Sequence, residues 1–329
     1  MKALIYTAPY ESQFGEVDAP EARQGEVIVD LSFCGICGSD MHAWHGHDDR
    51  RVPPLVLGHE AVGVARSGQY QGQRVAINPL MTCGQCPACT SGATHLCPDR
   101  EMIGMRRPGG FAEAVAIRES NLFVLPDHLA FENAALAEPL ACCVHAVRLM
   151  TYDYTTPKDA RAVVLGGGAI GLLSALVLSA MGYHDIWIAE TNALRRQMLS
   201  QCIDANIYNP MDQKPEGKPV MMVMDAVGTG RTRQSSTALI APGGTIVHIG
   251  LQDSEPGLDT RYLTLQEVTF KGTYCYTDAD FTEALDLLAA GKINGQDFAE
   301  IRPLADGASG FLDIHNGKAP PKIILDTSC

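Results

Sequence analysis

The sequence predicts a mixed α/β protein built in two parts, and three observations carry that expectation. From Met1 to about Pro139, short apolar runs alternate with Gly and Pro, the pattern of a small barrel-like all-β unit with long loops. From about Ala141 to Thr273 the pattern changes to strand, helix, strand, the alternation of a parallel sheet covered by helices. A glycine run, VVLGGGAIG, stands at the first strand-to-helix turn of this second part. A chain of 329 residues, 46% of them hydrophobic, has room and apolar mass for two domains of roughly 100 to 200 residues each. The expected boundaries are 1–140, 141–276, and a final segment 277–329 that returns to the first part.

The strands of the first part are read at KALIY, EVIVDLSF, AVGVA, RVAIN, FAEAVAI and NLFVLP. In the second, RAVVL is followed by the helix AIGLLSALVLSAM and by the strands DIWIAE, VMMVMDAV, TIVHIG and EVTFKGTY. The methionines of VMMVMDAV fit a buried strand. MDQKPEGKPV, with two prolines and a glycine, stands where a helix would join two strands and is expected to be an irregular loop. After Tyr276 come a helix, DADFTEALDLLAAGK, and a closing strand, PKIILD.

Charge and hydropathy exclude some functions. A net charge of −13 argues against a nucleic-acid partner, which needs clustered Lys and Arg. MKALIYTAPY alternates like a strand, and no run approaches the ~18 apolar residues of a membrane span. A cytoplasmic protein is expected, with its eleven cysteines used for metal or left as buried thiols.

The densest cysteine cluster is CGQCPACTSGATHLC, with Cys83, Cys86, Cys89 and Cys97. Four thiolates at this spacing can close a tetrahedral zinc shell with no position left for substrate, which makes the site structural. The same donors suit an iron–sulfur cluster, and the acidic charge disfavours a DNA-binding zinc ribbon. In the glycine run, Gly166, Gly168 and Gly171 fit G-x-G-x-x-G, a turn that brings backbone amides to a pyrophosphate at a helix N-terminus. Glu190 ends the next strand, where a carboxylate binds ribose hydroxyls and repels an added phosphate, so NAD is favoured over NADP. Arg195 and Arg196 weaken that preference slightly, and Arg195 could lie over the adenine. A third constellation joins Cys37 of FCGICGSDMHAW to His59 and to a carboxylate from Glu60 or Glu138, a mixed S, N, O set suited to a zinc with an open position.

In order along nearly the whole chain, CGICGSDMH, GHE, the four-cysteine loop, GGFAEA, AEPLACCVHA, VLGGGAIGLL and the terminal KIIL resemble the zinc-dependent medium-chain dehydrogenases. Within that family the resemblance is to the polyol branch, such as sorbitol dehydrogenase, with threonine and butanediol dehydrogenases as neighbours. It implies a GroES-like β-barrel catalytic domain and a Rossmann domain, two zinc ions per chain, NAD, and a homo-oligomer. Cys37 and His59 become ligands of the catalytic zinc, with Glu60 or Glu138 as the third. Alcohol dehydrogenases proper carry a cysteine where this chain has Glu138, so the glutamate points to the polyol branch.

By the same resemblance, Ser39 takes the substrate proton, His42 relays it through the cofactor ribose, and Asp40 orients His59. Gly166, Gly168, Ile170, Gly171, Glu190, Arg195, Gly250 and Tyr274 become cofactor contacts. The pocket departs from the family: Ala43 replaces an aromatic, and Cys275 stands where a substrate-holding arginine is usual. Trp44, Cys275 and Tyr276 are then the candidate pocket residues, with packing as the plainer role for both aromatics. His45 and His47 are left as surface residues. Cys34, Cys142, Cys143, Cys202, Cys275 and Cys329 are read as core thiols, Cys275 with a possible pocket face. The expected reaction is oxidation of a secondary alcohol of a polyol, sugar alcohol or small diol. Threonine-type or sugar-phosphate substrates, and a non-catalytic dinucleotide-binding relative, are the alternatives.

Overall fold

A computed structural model describes residues 1–328; Cys329 lies outside the described residues. The chain forms two compact units, residues 1–139 with 277–329, and residues 140–276.

In the first unit, Glu26–Gly35 is the central strand of a seven-stranded sheet. It pairs antiparallel with Glu60–Ala65, with Ala114–Arg118 and with the C-terminal strand Lys322–Asp326. Ile324 sits opposite Gly35, and Gly35 opposite Glu60. Residues from both ends of the sequence are thereby held in one register. Alternate residues of Glu26–Gly35 point to a core that includes Leu4, Val29, Trp44, Phe111, Phe311 and Leu325.

The motif that carries Cys37 is helical. Gly38–Trp44 is a helix whose N-cap is Cys37: its sulfur accepts from the Ser39 amide at 3.4 Å, and Asp40 Oδ2 accepts from the Cys37 amide at 3.0 Å. This reciprocal capping box is what turns CGSDMHAW helical despite its glycine. Helical spacing puts Ser39 and His42 on one half-buried face, and buries Asp40, Ala43 and Trp44 on the other.

The second unit is a six-stranded parallel sheet in the order Asn206–Tyr208, Ile186–Ala189, Arg161–Leu165, Val220–Asp225, Ile240–His248, Thr269–Gly272. Helices Ala169–Ala180, Ala193–Cys202 and Gly230–Leu239 alternate with the strands. This doubly wound order, together with the first unit, is the mixed α/β fold that the sequence predicts. Residues 211–219 hold no helix or strand, as their prolines and glycine require.

Of the thiols expected in the core, Cys34 and Cys143 are buried, whereas Cys142, Cys202 and Cys275 are half-buried. That expectation overreached: apolar neighbours in sequence do not fix which side of a helix or loop a thiol takes.

Candidate functional site

Cys37, His59 and Glu60 each bring a ligand atom within 4.8 Å of the other two. Cys37 caps a helix, His59 precedes Glu60 at the start of a strand, and the strand pairing brings the two segments together. The Asp40 carboxylate, with no exposed surface, lies 3.4 Å from His59 Nδ1, an ion-pair distance. With Nδ1 turned to Asp40, His59 Nε2 faces the sulfur side and stands 3.5 Å from Ser39 Oγ. Burial works against a charged His59, yet Asp40 and Cys37 hold its pKa well above the ordinary value. Glu60 Oε1 is buried without a hydrogen-bond partner, an acceptor free to ligate a cation. These donors fit a zinc ion with mixed S, N and O ligands.

Glu138, on the first turn of the helix Ala137–Met150, is 5% exposed and lies outside this ligand group. Its charge reaches the site through Lys322. That lysine, on the last strand, pairs with Glu60 Oε2 and donates to the Ile36 carbonyl at 2.8 Å. Burial lowers the Lys322 pKa, and Glu60, Cys37 and Glu138 outweigh burial to raise it. Sequence reasoning read KIIL as a strand and as a family segment and gave this lysine no role; a single basic residue in an apolar strand was the signal.

Arg51 was missed as well. Its side chain is 1% exposed, and its guanidinium donates to Asp48 Oδ2 at 2.5 Å, to the Gly104 carbonyl at 2.9 Å and to Ser39 Oγ at 3.2 Å. His42 lies beside His47, with ring centroids 5.4 Å apart, and burial is the main force lowering its pKa. His45, expected at the surface, is half-buried and meets His315 Nδ1 through Nε2 at 3.0 Å. Trp44 is 2% exposed, in ring contact with Tyr10, His45, Phe311 and His315, so packing describes it rather than a pocket wall. Ala43 is buried too.

The four cysteines Cys83, Cys86, Cys89 and Cys97 form the second group, each with its sulfur within 4.8 Å of the others. The Cys86 amide donates to Cys83 Sγ and the Cys83 amide to Cys97 Sγ, both at 3.4 Å. Amides of Gln85 and Cys86 hold the Cys83 thiol down to about 7, so that it is about half ionised at neutral pH. This donor set fits a closed zinc shell.

In the second unit Gly166 takes φ +98°, a conformation open chiefly to glycine. Gly168 caps the helix Ala169–Ala180, and Ile170 follows on its half-buried first turn. Gly171 packs so closely that a Cβ there would meet the Gly166 carbonyl oxygen at 1.8 Å. Glu190 Oε2 accepts from the Gly167 amide at 2.9 Å, and Oε1 from Asn192 at 2.7 Å, so the carboxylate stands at the glycine turn. Arg195 lies 3.9 Å from it, while Arg196 donates to the Glu190 and Thr191 carbonyls at 2.9 and 2.7 Å. The Gly250 amide donates to the Asp225 carbonyl at 3.0 Å. Asp225, a further residue that sequence reasoning missed, is fully buried and accepts from the Val227 and Gly228 amides, from Thr232 and from His248 Nδ1. Tyr274 and Cys275 are half-buried, Cys275 at φ +48°, and Tyr276 is 1% exposed.

Comparison with known proteins follows the same division. Residues 23–127 match the alcohol dehydrogenase GroES-like domain, and residues 169–290 the zinc-binding dehydrogenase domain. The chain is 32% identical to 2-dehydro-3-deoxy-L-galactonate 5-dehydrogenase of Pseudoalteromonas atlantica, over 95% of this chain and 94% of that one. It is 30% identical to D-arabitol-phosphate dehydrogenase of Enterococcus avium, over 96% and 95%. Among solved structures it is similar to a zinc-binding dehydrogenase of Sinorhizobium meliloti bound to NADP, with a TM-score of 0.87 and 28% identity over 99% of this chain and 98% of that one. No described helix is long and apolar enough to cross a membrane.

Proposed function

We propose a reaction for a chain that belongs to the zinc-dependent medium-chain dehydrogenases, in their polyol-like branch: NAD-dependent oxidation of a secondary alcohol on a hydroxyl-rich small molecule to the ketone. The observation that carries it is the group of half-buried Cys37 with buried His59 and Glu60, and the Ser39 hydroxyl 3.5 Å from His59 Nε2. Cys37, His59 and a glutamate, Glu60 or Glu138, would hold the catalytic metal. When bound, zinc supplies Lewis-acid polarisation of the alcohol oxygen.

The rest falls to the chain. Asp40 keeps the His59 proton on Nδ1 and leaves Nε2 its lone pair for the metal. Ser39 Oγ accepts the alcohol proton, and His42, one helical turn further on the same face, passes it outward. Lys322 balances the charge of Glu60. Residues 141–276 hold the cofactor: the turn at Gly166, Gly168, Ile170 and Gly171 receives the pyrophosphate, with Gly250, Tyr274 and Arg195 as flanking contacts. Glu190 accepts from the ribose hydroxyls and disfavours a phosphate there, which supports NAD over NADP. The relative bound to NADP makes both cofactors necessary in the assay. Cys83, Cys86, Cys89 and Cys97 would hold the structural zinc.

The relatives' names, a sugar-acid and a sugar-phosphate dehydrogenase, support a polyhydroxylated substrate over a simple alcohol. A panel of polyols, sugar acids, sugar phosphates and vicinal diols, with NAD and with NADP, tests the reading by absorbance of the reduced cofactor. Turnover of at least one polyhydroxylated compound is expected, abolished in Cys37→Ser and His59→Ala; full activity in either variant overturns it. We also assign a cytoplasmic homo-oligomer, dimer or tetramer, which light scattering checks.

A further inference from the structure

We propose that Arg51 is a positioning residue for proton transfer, acting through Ser39. This rests on the reading of Ser39 as the group that takes the alcohol proton.

A serine hydroxyl has one proton to give and two lone pairs to receive with. Arg51 Nη2 donates to Ser39 Oγ at 3.2 Å and so occupies one lone pair. What remains is one lone pair for the incoming alcohol O–H and one O–H for the next group in the relay. The hydroxyl can then accept a proton and release its own in the same motion, unchanged at the end. The alcohol proton moves to Ser39, the Ser39 proton moves on toward His42, and the electron pair of the carbinol C–H leaves as hydride to the nicotinamide. Without a third partner the hydroxyl could rotate its proton toward the substrate oxygen, and the chain would run the wrong way.

The placement of Arg51 is built for such a task. Its guanidinium uses three separate donors on three segments: Nε on the Gly104 carbonyl, Nη1 on Asp48 and Nη2 on Ser39. A planar fork held at two points aims the third, which a lysine on a flexible stem cannot do. Asp48 also accepts from Arg50 Nε at 2.8 Å and Nη2 at 3.0 Å, so removing Arg51 does not strand a buried carboxylate.

The experiment compares wild type, Arg51→Met, Arg51→Lys, Ser39→Ala and the double variant Arg51→Met/Ser39→Ala. We measure kcat and KM on the best alcohol of the panel, zinc content by metal analysis, and binding of an unreactive fluorinated alcohol to the protein with oxidised cofactor by calorimetry. Arg51→Met is expected to lower kcat about tenfold or more, less than the roughly 10²- to 10⁴-fold of a proton-transfer group itself because Arg51 acts through Ser39. Zinc content and cofactor affinity stay at wild-type values, and the fluorinated alcohol binds several-fold more weakly. Arg51→Lys, which keeps the buried charge, recovers part of kcat. In the Ser39→Ala background the Met substitution changes kcat less than twofold.

Equal losses in both backgrounds overturn the proposal, as does unchanged kcat in Arg51→Met. Should the Met variant not fold, Arg51→Lys decides alone: wild-type kcat in a folded, zinc-loaded protein overturns it. An active wild type with insensitive Arg51 variants fails this inference only, whereas a wild type inert on every alcohol fails both readings.

Discussion

Gly35 shows at the scale of one residue how tightly the metal pocket is drawn. A Cβ there would stand 2.0 Å from Glu60 Oε2 and 2.8 Å from Lys322 Cε, so Gly35→Ala must displace the buried ion pair. We expect it to lower both melting temperature and zinc content. Breaking the pair directly leaves a charge buried and uncompensated, at about 3–5 kcal/mol. Lys322→Met should lose stability of that order in chemical denaturation, and wild-type stability would show that Glu60 finds another partner. At the cofactor loop, Glu190→Ser removes the carboxylate at the glycine turn and is expected to raise the NADP-to-NAD ratio of kcat/KM at least tenfold. The positions of Ser39, Asp40 and His42 beside Cys37, and of Glu190 at the end of the strand after the glycine turn, were legible in the sequence because motif offsets and strand ends mark them. Lys322 was not, since its partner carbonyl, Ile36, lies 286 positions away.

Two elements carry the chemistry by their local geometry. The helix Gly38–Trp44 lies between segments read as strands, and the sequence reading assigned it no helix. Its capping box and its buried Trp44 hold it, and helical spacing then places Ser39 and His42 on one face. The cysteine-bearing segment 83–97 has only one helical turn, Pro87–Thr90, and a short 3-10 turn, Thr94–Leu96, to hold it. Metal removal by a chelator, or Cys89→Ser, should therefore lower the melting temperature and expose 83–97 to limited proteolysis, with added zinc restoring the chelated wild type. In the helix Ala169–Ala180, Gly171→Ala would push the helix from the strand Arg161–Leu165, since its Cβ falls 1.8 Å from the Gly166 oxygen. The measurable result is weaker cofactor binding in a fluorescence titration.

For the molecule as a whole, carboxylates held low by arginines make low pH the sensitive side. Burial raises the Asp48 pKa, but Arg50 and Arg51 bring it down to about 2; Arg107 lowers that of Glu26 in the same sense. Both carboxylates are depressed below their unfolded values of about 4. They contribute stability above that pH and lose it as pH falls toward 2. Asp48→Asn should flatten the acid limb of a stability-versus-pH curve and leave the neutral plateau's slope unchanged. The sequence by itself determined the four-cysteine loop and the glycine turn, each written in residues close together, and the α/β class through the alternation of strand and helix patterns; the alcohol-to-ketone chemistry came with the family resemblance, which rests on motifs spread along the chain. Only the tertiary structure shows Glu60, and not Glu138, within ligand distance of Cys37 and His59, Lys322 paired with Glu60, Arg51 bonded to Ser39, and Trp44 in the core. Those outcomes depend on pairing strands across long loops. Strand register and helix face choose which side chains meet there, and no local pattern encodes that choice.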